Sequence, residues 1–111
     1  VFCPEPEEID LEVRGAALGR DPAFPGEWNI EFVAVEARDR LRVRVWERGS
    51  GPTLACGTGA CAVLAAAVKS GRCDRRATGA LPGGELKVEW ERESGRILLT
   101  GPARTVFQGE I

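Results

Sequence analysis

The sequence predicts a mixed α+β fold in which mixed or antiparallel strands wrap around one central, buried helix. Three segments lead to this prediction. Residues 29–46 show the alternation of strands, residues 57–70 are almost entirely apolar over a helical length, and residues 81–107 return to short apolar runs divided by turn formers. A helix that is apolar all round has to be covered by the surrounding strands.

The composition is that of one globular domain or a piece of a larger one. The chain has 111 residues, of which 43% are apolar, and a net charge of -2 with acids and bases interspersed. It shows neither the basic face of a nucleic-acid-binding protein nor an apolar run near the ~20 residues of a membrane span. The N-terminus lacks a signal-peptide pattern, so we expect a cytoplasmic protein. Because the chain does not begin with Met, we expect it to start inside a longer gene product or to be processed.

Four cysteines, at positions 3, 56, 61 and 73, admit three explanations. A disulfide framework is disfavoured because the chain is apolar enough to fold without cross-links and shows no secretion signal. A zinc site is disfavoured because the sequence has no CxxC pair and no histidine. The pattern favours buried cysteines that behave as small hydrophobes, with one reactive member.

The first third of the chain predicts a helix and a strand hairpin. Asp10 is placed to cap a helix over residues 11–18, and Gly19 is a stop signal. After a turn-rich loop, residues 30–35 form an apolar strand, and residues 37–39 connect it to the next. In that second strand Leu41, Val43 and Val45 alternate with Arg40, Arg42 and Arg44, which puts three arginines on the opposite face.

The rest of the chain predicts the central helix and further strands. Residues 49–52 break the chain, and the helix over residues 57–70 ends at Gly71, with Lys69 in its last turn. We expect this helix to be buried on every side. Strand segments follow, with one turn at residues 82–84 and another at residues 93–96: Leu81, residues 86–91, residues 97–100 and a last strand at residues 106–107.

Cys56 lies where a loop enters the central helix. The N-terminus of a helix offers unpaired backbone N–H groups and a partial positive charge, which stabilise a thiolate or a carboxylate. A cysteine in that position ionises more readily, which makes it usable as a base near neutral pH. Gly57 and Gly59 leave room for a substrate against the backbone. The alternative is that Cys56 only packs at the start of the helix.

Three other cysteine or phosphate sites do not fit the sequence. A cysteine phosphatase loop needs Arg six positions after the nucleophile, where Ala62 stands. A phosphate-binding loop of the Walker type needs Gly-Lys-Ser/Thr, which does not occur. A papain-like protease needs a histidine, and the chain has none.

The segment Thr53-Leu-Ala-Cys-Gly-Thr-Gly-Ala-Cys-Ala62, with Val-Trp-Glu-Arg-Gly at residues 45–49 before it, resembles the second-half signature of diaminopimelate epimerase. Residues 29–33, 81–86 and 100–107 agree with that family in order and spacing, so the resemblance covers nearly the whole chain. Two positions depart from the family. Trp46 stands where Tyr is usual, and Pro52 replaces an acidic residue, so we expect a slight shift of that loop.

The resemblance implies a fold of two pseudo-symmetric halves, of which residues 1–111 are the C-terminal one. It implies that residues from about 101 to 111 pack on the missing N-terminal half. The implied activity is the interconversion of LL- and meso-diaminopimelate by two cysteines, without a cofactor or a metal, in lysine and cell-wall precursor biosynthesis. The implied assembly is a homodimer.

The resemblance also implies the site residues. Cys56 is one acid/base residue, and Gly57 and Thr58 bind the substrate α-carboxylate. Asn29, Glu47 and Arg48 hold the distal end of the substrate, and Glu47 also influences the protonation state of the thiol. Phe107 lies at the dimer interface. Three alternatives remain open. In these alternatives Glu47 and Arg48 form only an ordinary strand-end pair, Asn29 is only a turn residue, and Phe107 is a core residue.

The family's second cysteine, in an Ala-Cys-Gly-Asn-Gly setting, is not in this sequence. Neither Cys3, Cys61 nor Cys73 has that context. We therefore expect the chain by itself not to catalyse epimerisation. A noncatalytic amino-acid-binding or regulatory module, a racemase of another amino acid and a purely structural domain are the alternatives.

Overall fold

The computed structural model describes residues 1–26 and 28–111. Two helices and a six-stranded sheet follow a short 3₁₀ turn at Pro6–Glu8. Neither of the described helices is long and apolar enough to cross a membrane. The helices are α1 (Leu11–Gly19) and α2 (Gly57–Lys69), and the strands are β1 (Ile30–Ala37), β2 (Arg40–Glu47), β3 (Gly51–Thr53), β4 (Arg76–Leu81), β5 (Gly84–Trp90) and β6 (Ile97–Thr100).

The sheet has the order β1-β2-β4-β5-β6, and β3 pairs with the end of β2 that β4 leaves free. All neighbouring strands are antiparallel except β2 and β4. Two parallel neighbours need a crossover connection, and α2 lies in the segment that supplies it. The predicted mixed α+β fold is confirmed.

The alternation in β2 separates two layers of packing. Leu41, Val43 and Val45 are each no more than 2% exposed, and they pack with Leu64 and other apolar residues of α2 in the main core. Burying a side chain of this kind stabilises the fold by about 1.5–3 kcal/mol. The arginines of the same strand face the other way, as the sequence predicts.

Helix α2 begins and ends where the sequence predicts, but it is not buried all round. Gly71 follows the helix with a φ of 70°, and the N–H of Arg72 donates to the carbonyl oxygen of Ala67 over 2.8 Å. Ala62 and Ala66 are exposed. The expectation of complete burial is wrong for the described residues, because the sheet covers only one side of the helix.

The outer face of β2 holds the N-terminal segment. The Arg44 guanidinium donates to the carbonyl oxygens of Pro6, Glu7 and Ile9 over 3.1–3.4 Å. Arg42 forms ion pairs with Glu5, Glu7 and Glu36. Each exposed pair contributes little, about 0–1 kcal/mol, but together the two arginines fix the path of the segment over the sheet.

Helix α1 packs on this outer face through two glycines. Asp10 caps the helix as predicted, since its carboxylate accepts from the N–H of Val13 over 3.1 Å. Gly19 is not the stop signal, because it is the last helical residue and lacks a positive φ. A Cβ at Gly15 or Gly19 would lie 2.4 Å from an atom of the Trp46 ring. Positions 15 and 19 therefore have to be glycine, because the Trp46 indole lies too close to the helix backbone for a Cβ.

The C-terminal segment has no strand partner. Residues 101–111 form no helix or strand and are exposed throughout. The predicted last strand at residues 106–107 is wrong for the described chain, because no neighbouring strand offers it hydrogen bonds. Phe107 is 84% exposed, so none of the residues that the structure describes covers it.

Gly15→Ala is expected to destabilise the chain by roughly 1–2 kcal/mol, because overpacking against Trp46 outweighs the better helix propensity of Ala. Urea unfolding measures the loss, and the indole N–H signal of Trp46 in an NMR spectrum should shift. Ala17→Gly, on the exposed side of α1, is the matched control. It should cost about 1 kcal/mol through propensity alone and leave the indole signal in place. An unchanged stability in Gly15→Ala would contradict the close packing.

Candidate active site

Cys56 is the N-cap of α2, as the sequence predicts. Its backbone is extended, with φ -143° and ψ 111°, and its Sγ accepts a hydrogen bond from the N–H of Gly59 over 3.4 Å. The Thr58 hydroxyl lies 3.4 Å from the same sulfur. The residue is only 8% exposed. Negative charge on this sulfur would therefore be stabilised by an N–H group and by the positive end of the helix.

The first two N–H groups of α2 are free to bind an anion. Within the residues that the structure describes, the N–H groups of Gly57 and Thr58 have no hydrogen-bond acceptor. Leu99 of β6 covers Gly57 so closely that a Cβ there would lie 3.0 Å from its Cδ2. A glycine at position 57 therefore keeps the leucine against the helix terminus. The geometry suits a carboxylate, which such N–H groups bind.

Glu31 reaches Cys56 from β1, although the sequence analysis did not assign it to the site. A Cβ at Gly59 would lie 2.6 Å from Glu31 Oε1 and 3.3 Å from Cys56 Sγ, so the carboxyl group and the sulfur flank the same point. Glu31 is opposite the fully buried Val45 in the β1–β2 register. A carboxylate at an inward-facing position of an apolar strand was the signal that could have found it.

The Glu31 carboxyl group is harder to ionise than an ordinary glutamate. Burial raises its pKa, while the Val1 ammonium group and the backbone hydrogen bond of Glu31 itself lower it and the nearby Glu47 raises it further. The Val1 ammonium group is close because it donates to the Glu31 carbonyl oxygen over 2.7 Å. Raised carboxyl pKa values of this kind are frequent where proton transfer is carried out.

Glu47 lies on the same inner face, at the end of β2. Its carboxylate accepts a hydrogen bond of 2.6 Å from the hydroxyl of Thr53, which stands on β3. Pro52 lies beside Thr53 and opposite Trp46 in the β2–β3 register. The proline is therefore accommodated within a paired strand.

Asn29 and Arg48 form a second part of the candidate site. The side-chain oxygen of Asn29 accepts from the backbone N–H of Arg48 over 2.9 Å and so joins the start of β1 to the end of β2. Arg48 lines two shallow concavities of about 260 and 310 Å³, one with Trp46 and the other with Trp28. Arg48 follows the last residue of β2, and the concavity that it lines with Trp46 also involves Ala16 and Gly19 of α1. Arg48 therefore lies on the α1 side of the sheet, whereas Glu47 lies on the inner face.

The remaining cysteines differ from Cys56 in their surroundings. No disulfide joins any of the four. Burial, followed by the proximity of Cys56, raises the pKa of Cys61. Burial is also the main cause of a raised pKa at Cys73, where Asp74 adds to the effect and Arg38 opposes it. These two thiols are therefore stabilised in their protonated form, and neither caps a helix.

A sequence profile described as diaminopimelate epimerase matches residues 1–106. The chain belongs to the diaminopimelate epimerase family. Diaminopimelate epimerase 1 of Nostoc sp. is 54% identical over 99% of this chain and 39% of its own length. The diaminopimelate epimerases of Microcystis aeruginosa and Heliobacterium modesticaldum are 51% and 47% identical over 97% and 100% of the chain and 38% and 40% of their own lengths. The chain thus spans about two-fifths of the length of these relatives.

A solved structure agrees with the fold. The phenazine biosynthesis protein of the PhzF family from Bacillus anthracis superposes with a TM-score of 0.59, over 88% of this chain and 32% of that protein, at 16% identity. At this level of identity the likeness shows a shared fold alone.

A further concavity of this epimerase-family chain lies elsewhere. It has a volume of about 400 Å³ and occupies the face of β4, β5 and β6 that points away from α2, between Arg76, Lys87 and Glu89. Arg76 and Glu89 already form an ion pair of 2.7 Å across it.

Glu31→Gln is expected to make Cys56 react about threefold to tenfold faster with iodoacetamide at neutral pH, because it removes a negative charge beside the sulfur. Peptide mass spectrometry separates Cys56 from the other cysteines. Glu93→Gln, in the exposed turn before β6, is the matched control and should change nothing. A slower reaction in Glu31→Gln would contradict the expected repulsion.

The raised pKa of Glu31 makes the stability of the folded chain depend on pH. The folded state binds this proton more tightly than the unfolded state, so the stabilisation is fully present below about pH 4.3 and is lost as the pH rises through the folded-state value. The free energy of unfolding of Glu31→Gln, relative to the unmodified chain, should therefore rise between pH 4 and pH 7. A flat difference in urea unfolding would contradict the assignment.

Proposed function

We propose that the chain is the C-terminal part of a cofactor-independent epimerase that interconverts LL- and meso-diaminopimelate, with Cys56 as one of its two acid/base residues. The observation that carries the proposal is the position of Cys56 at the N-terminus of α2, beside two free N–H groups. The names of the relatives support the substrate. We also propose a cytoplasmic location and a role in lysine and cell-wall precursor biosynthesis, as the resemblance to the family implies.

The proposed reaction needs a base on one face of the substrate carbon and an acid on the other. The Cys56 thiolate takes the α-proton, and a second thiol returns a proton to the opposite face; in the reverse direction the two exchange roles. The N–H groups of Gly57 and Thr58 hold the α-carboxylate. They stabilise the negative charge that spreads onto it as the proton leaves.

The distal end of the substrate is assigned to Asn29, Glu47 and Arg48. The hydrogen bond between Asn29 and the Arg48 backbone supports this assignment, because it fixes both residues at the open end of the β1–β2 pair. Glu47 acts on Glu31, whose carboxyl group flanks the same point as the Cys56 sulfur, so we assign Glu47 the influence on the thiol as well.

The second cysteine is proposed to lie outside this chain. Cys61 and Cys73 have raised pKa values and do not cap a helix, and the relatives are about two and a half times as long as the chain. Residues 101–111 are proposed to pack on the part of the protein that carries the second cysteine. Their exposure supports this, since Val106 and Phe107 are 91% and 84% exposed. A homodimer with Phe107 at its interface is part of the same proposal.

The isolated chain is expected not to exchange the α-proton of diaminopimelate with deuterium oxide, because it holds only one of two acid/base thiols. The full-length protein that contains the chain should exchange it. Cys56→Ser in the full-length protein should lower the exchange rate by a factor of at least about 10². Mass spectrometry of the recovered amino acid measures the exchange.

Adding the rest of the protein in trans separates this proposal from the alternative of a noncatalytic binding or regulatory module. Restored exchange supports the enzyme, and it should require residues 101–111, so a chain ending at Thr100 is the matched control. Exchange by the isolated chain would contradict the need for a second cysteine. Binding of diaminopimelate without any exchange, in trans or at full length, would favour the noncatalytic module.

A further inference from the structure

Thr53 is hydrogen-bonded to Glu47 and lies in the same row of the sheet as Glu31. It lies directly opposite Val45 in the β2–β3 register, and Val45 lies directly opposite Glu31 in the β1–β2 register. Directly opposed residues point to the same face of a sheet. Glu31, Val45 and Thr53 therefore form one row across three strands on the inner face.

Glu47 is the next inward-facing residue along β2, so it is a diagonal neighbour of Glu31. Diagonal partners in antiparallel strands lie about 7–8 Å apart, within reach of long side chains. Carboxylates on two such neighbouring residues repel each other, and free side chains would turn apart. The Thr53 hydroxyl opposes this by donating a hydrogen bond of 2.6 Å to Glu47.

We propose that Thr53 is a positioning residue whose hydroxyl holds the Glu47 carboxylate beside Glu31, next to Cys56. The Thr53 hydroxyl is short and sits on a β-branched residue with few χ1 rotamers, so its direction is fixed by the strand. Charge-assisted hydrogen bonds of this length are among the stronger ones.

Among the groups around Glu31, Glu47 is the negatively charged side chain that acts on the Glu31 carboxyl group. The segment before α1 contributes the Val1 amino group, and the start of α2 contributes the Cys56 thiol. Strand β6 brings the apolar Leu99 to the helix terminus. In agreement with the geometry, Glu47 is among the causes that raise the pKa of Glu31.

The coupling has a consequence for proton transfer that rests on the proposed function. Cys56 has to carry a negative charge in one half of the reaction, and an ionised Glu31 opposes that charge. A Glu47 carboxylate held close favours the protonated form of Glu31 and relieves the opposition. The hydroxyl of Thr53 thus acts on the thiol through two carboxyl groups.

The test is the titration of the Glu31 side-chain carboxyl carbon, followed by NMR in the chain. Thr53→Val keeps the β-branched shape and removes the donor, so the titration midpoint of Glu31 should fall by roughly half a pH unit. Glu47→Gln should lower the midpoint at least as far. Thr53→Ser keeps the hydroxyl and should leave the midpoint where it is in the unmodified chain.

Two results would overturn the proposal. An unchanged midpoint in Thr53→Val, with a lowered one in Glu47→Gln, would show that the hydroxyl does not position Glu47. An unchanged midpoint in Glu47→Gln would show that the carboxyl groups are not coupled. If Thr53→Val does not fold, Thr53→Ala provides the second donor-free variant.

A role in stability alone would change the free energy of unfolding without moving this midpoint, which also overturns the proposal. The readout does not depend on catalysis. Failure of the full-length protein to exchange the substrate proton would reject the proposed function, whereas the Glu31 titration would still decide the role of Thr53.

Discussion

The rest of the structure depends on the alternation of side chains in β2. Its inner row is apolar and packs on α2, and its outer row of arginines, which Trp46 completes, holds the N-terminal segment and α1. The same strand pairs with β1 on one side and with both β3 and β4 on the other. A shift of its register by one residue would exchange the two faces and dismantle both layers at once.

The candidate active site is formed where this strand ends. The inner row continues from Val45 to Glu47, so the apolar core passes directly into a polar corner. The N-terminus of α2 reaches that corner with Cys56 as its cap, and β1 and β3 contribute Glu31 and Thr53. Burial of carboxyl groups is costly unless they are hydrogen-bonded or protonated, and this cost is what couples the residues of the corner to each other.

In both helices of this protein, glycine is required because another side chain approaches the helix backbone closely, and not because the chain turns there. In α1 the glycines make room for the Trp46 indole, and in α2 Gly59 makes room for the Glu31 carboxyl group. Both helices therefore accept residues of low helix propensity because of what lies outside the helix. A sequence pattern shows only the glycine, so it does not distinguish a stop signal from a site of close approach such as Gly19.

The sequence by itself determined the β1–β2 hairpin, the limits of α2, the cap at Cys56 and the family, because periodicity, capping residues and motif spacing are local properties. Only the tertiary structure decided that Glu31 and Thr53 belong to the corner and that Arg48 lies on the α1 side of the sheet. In the structure, one face of α2 and residues 101–111 are exposed, which the sequence did not predict for α2. These features depend on strand register and on what lies against each surface, and such long-range relations are not written in the spacing of residues along the chain.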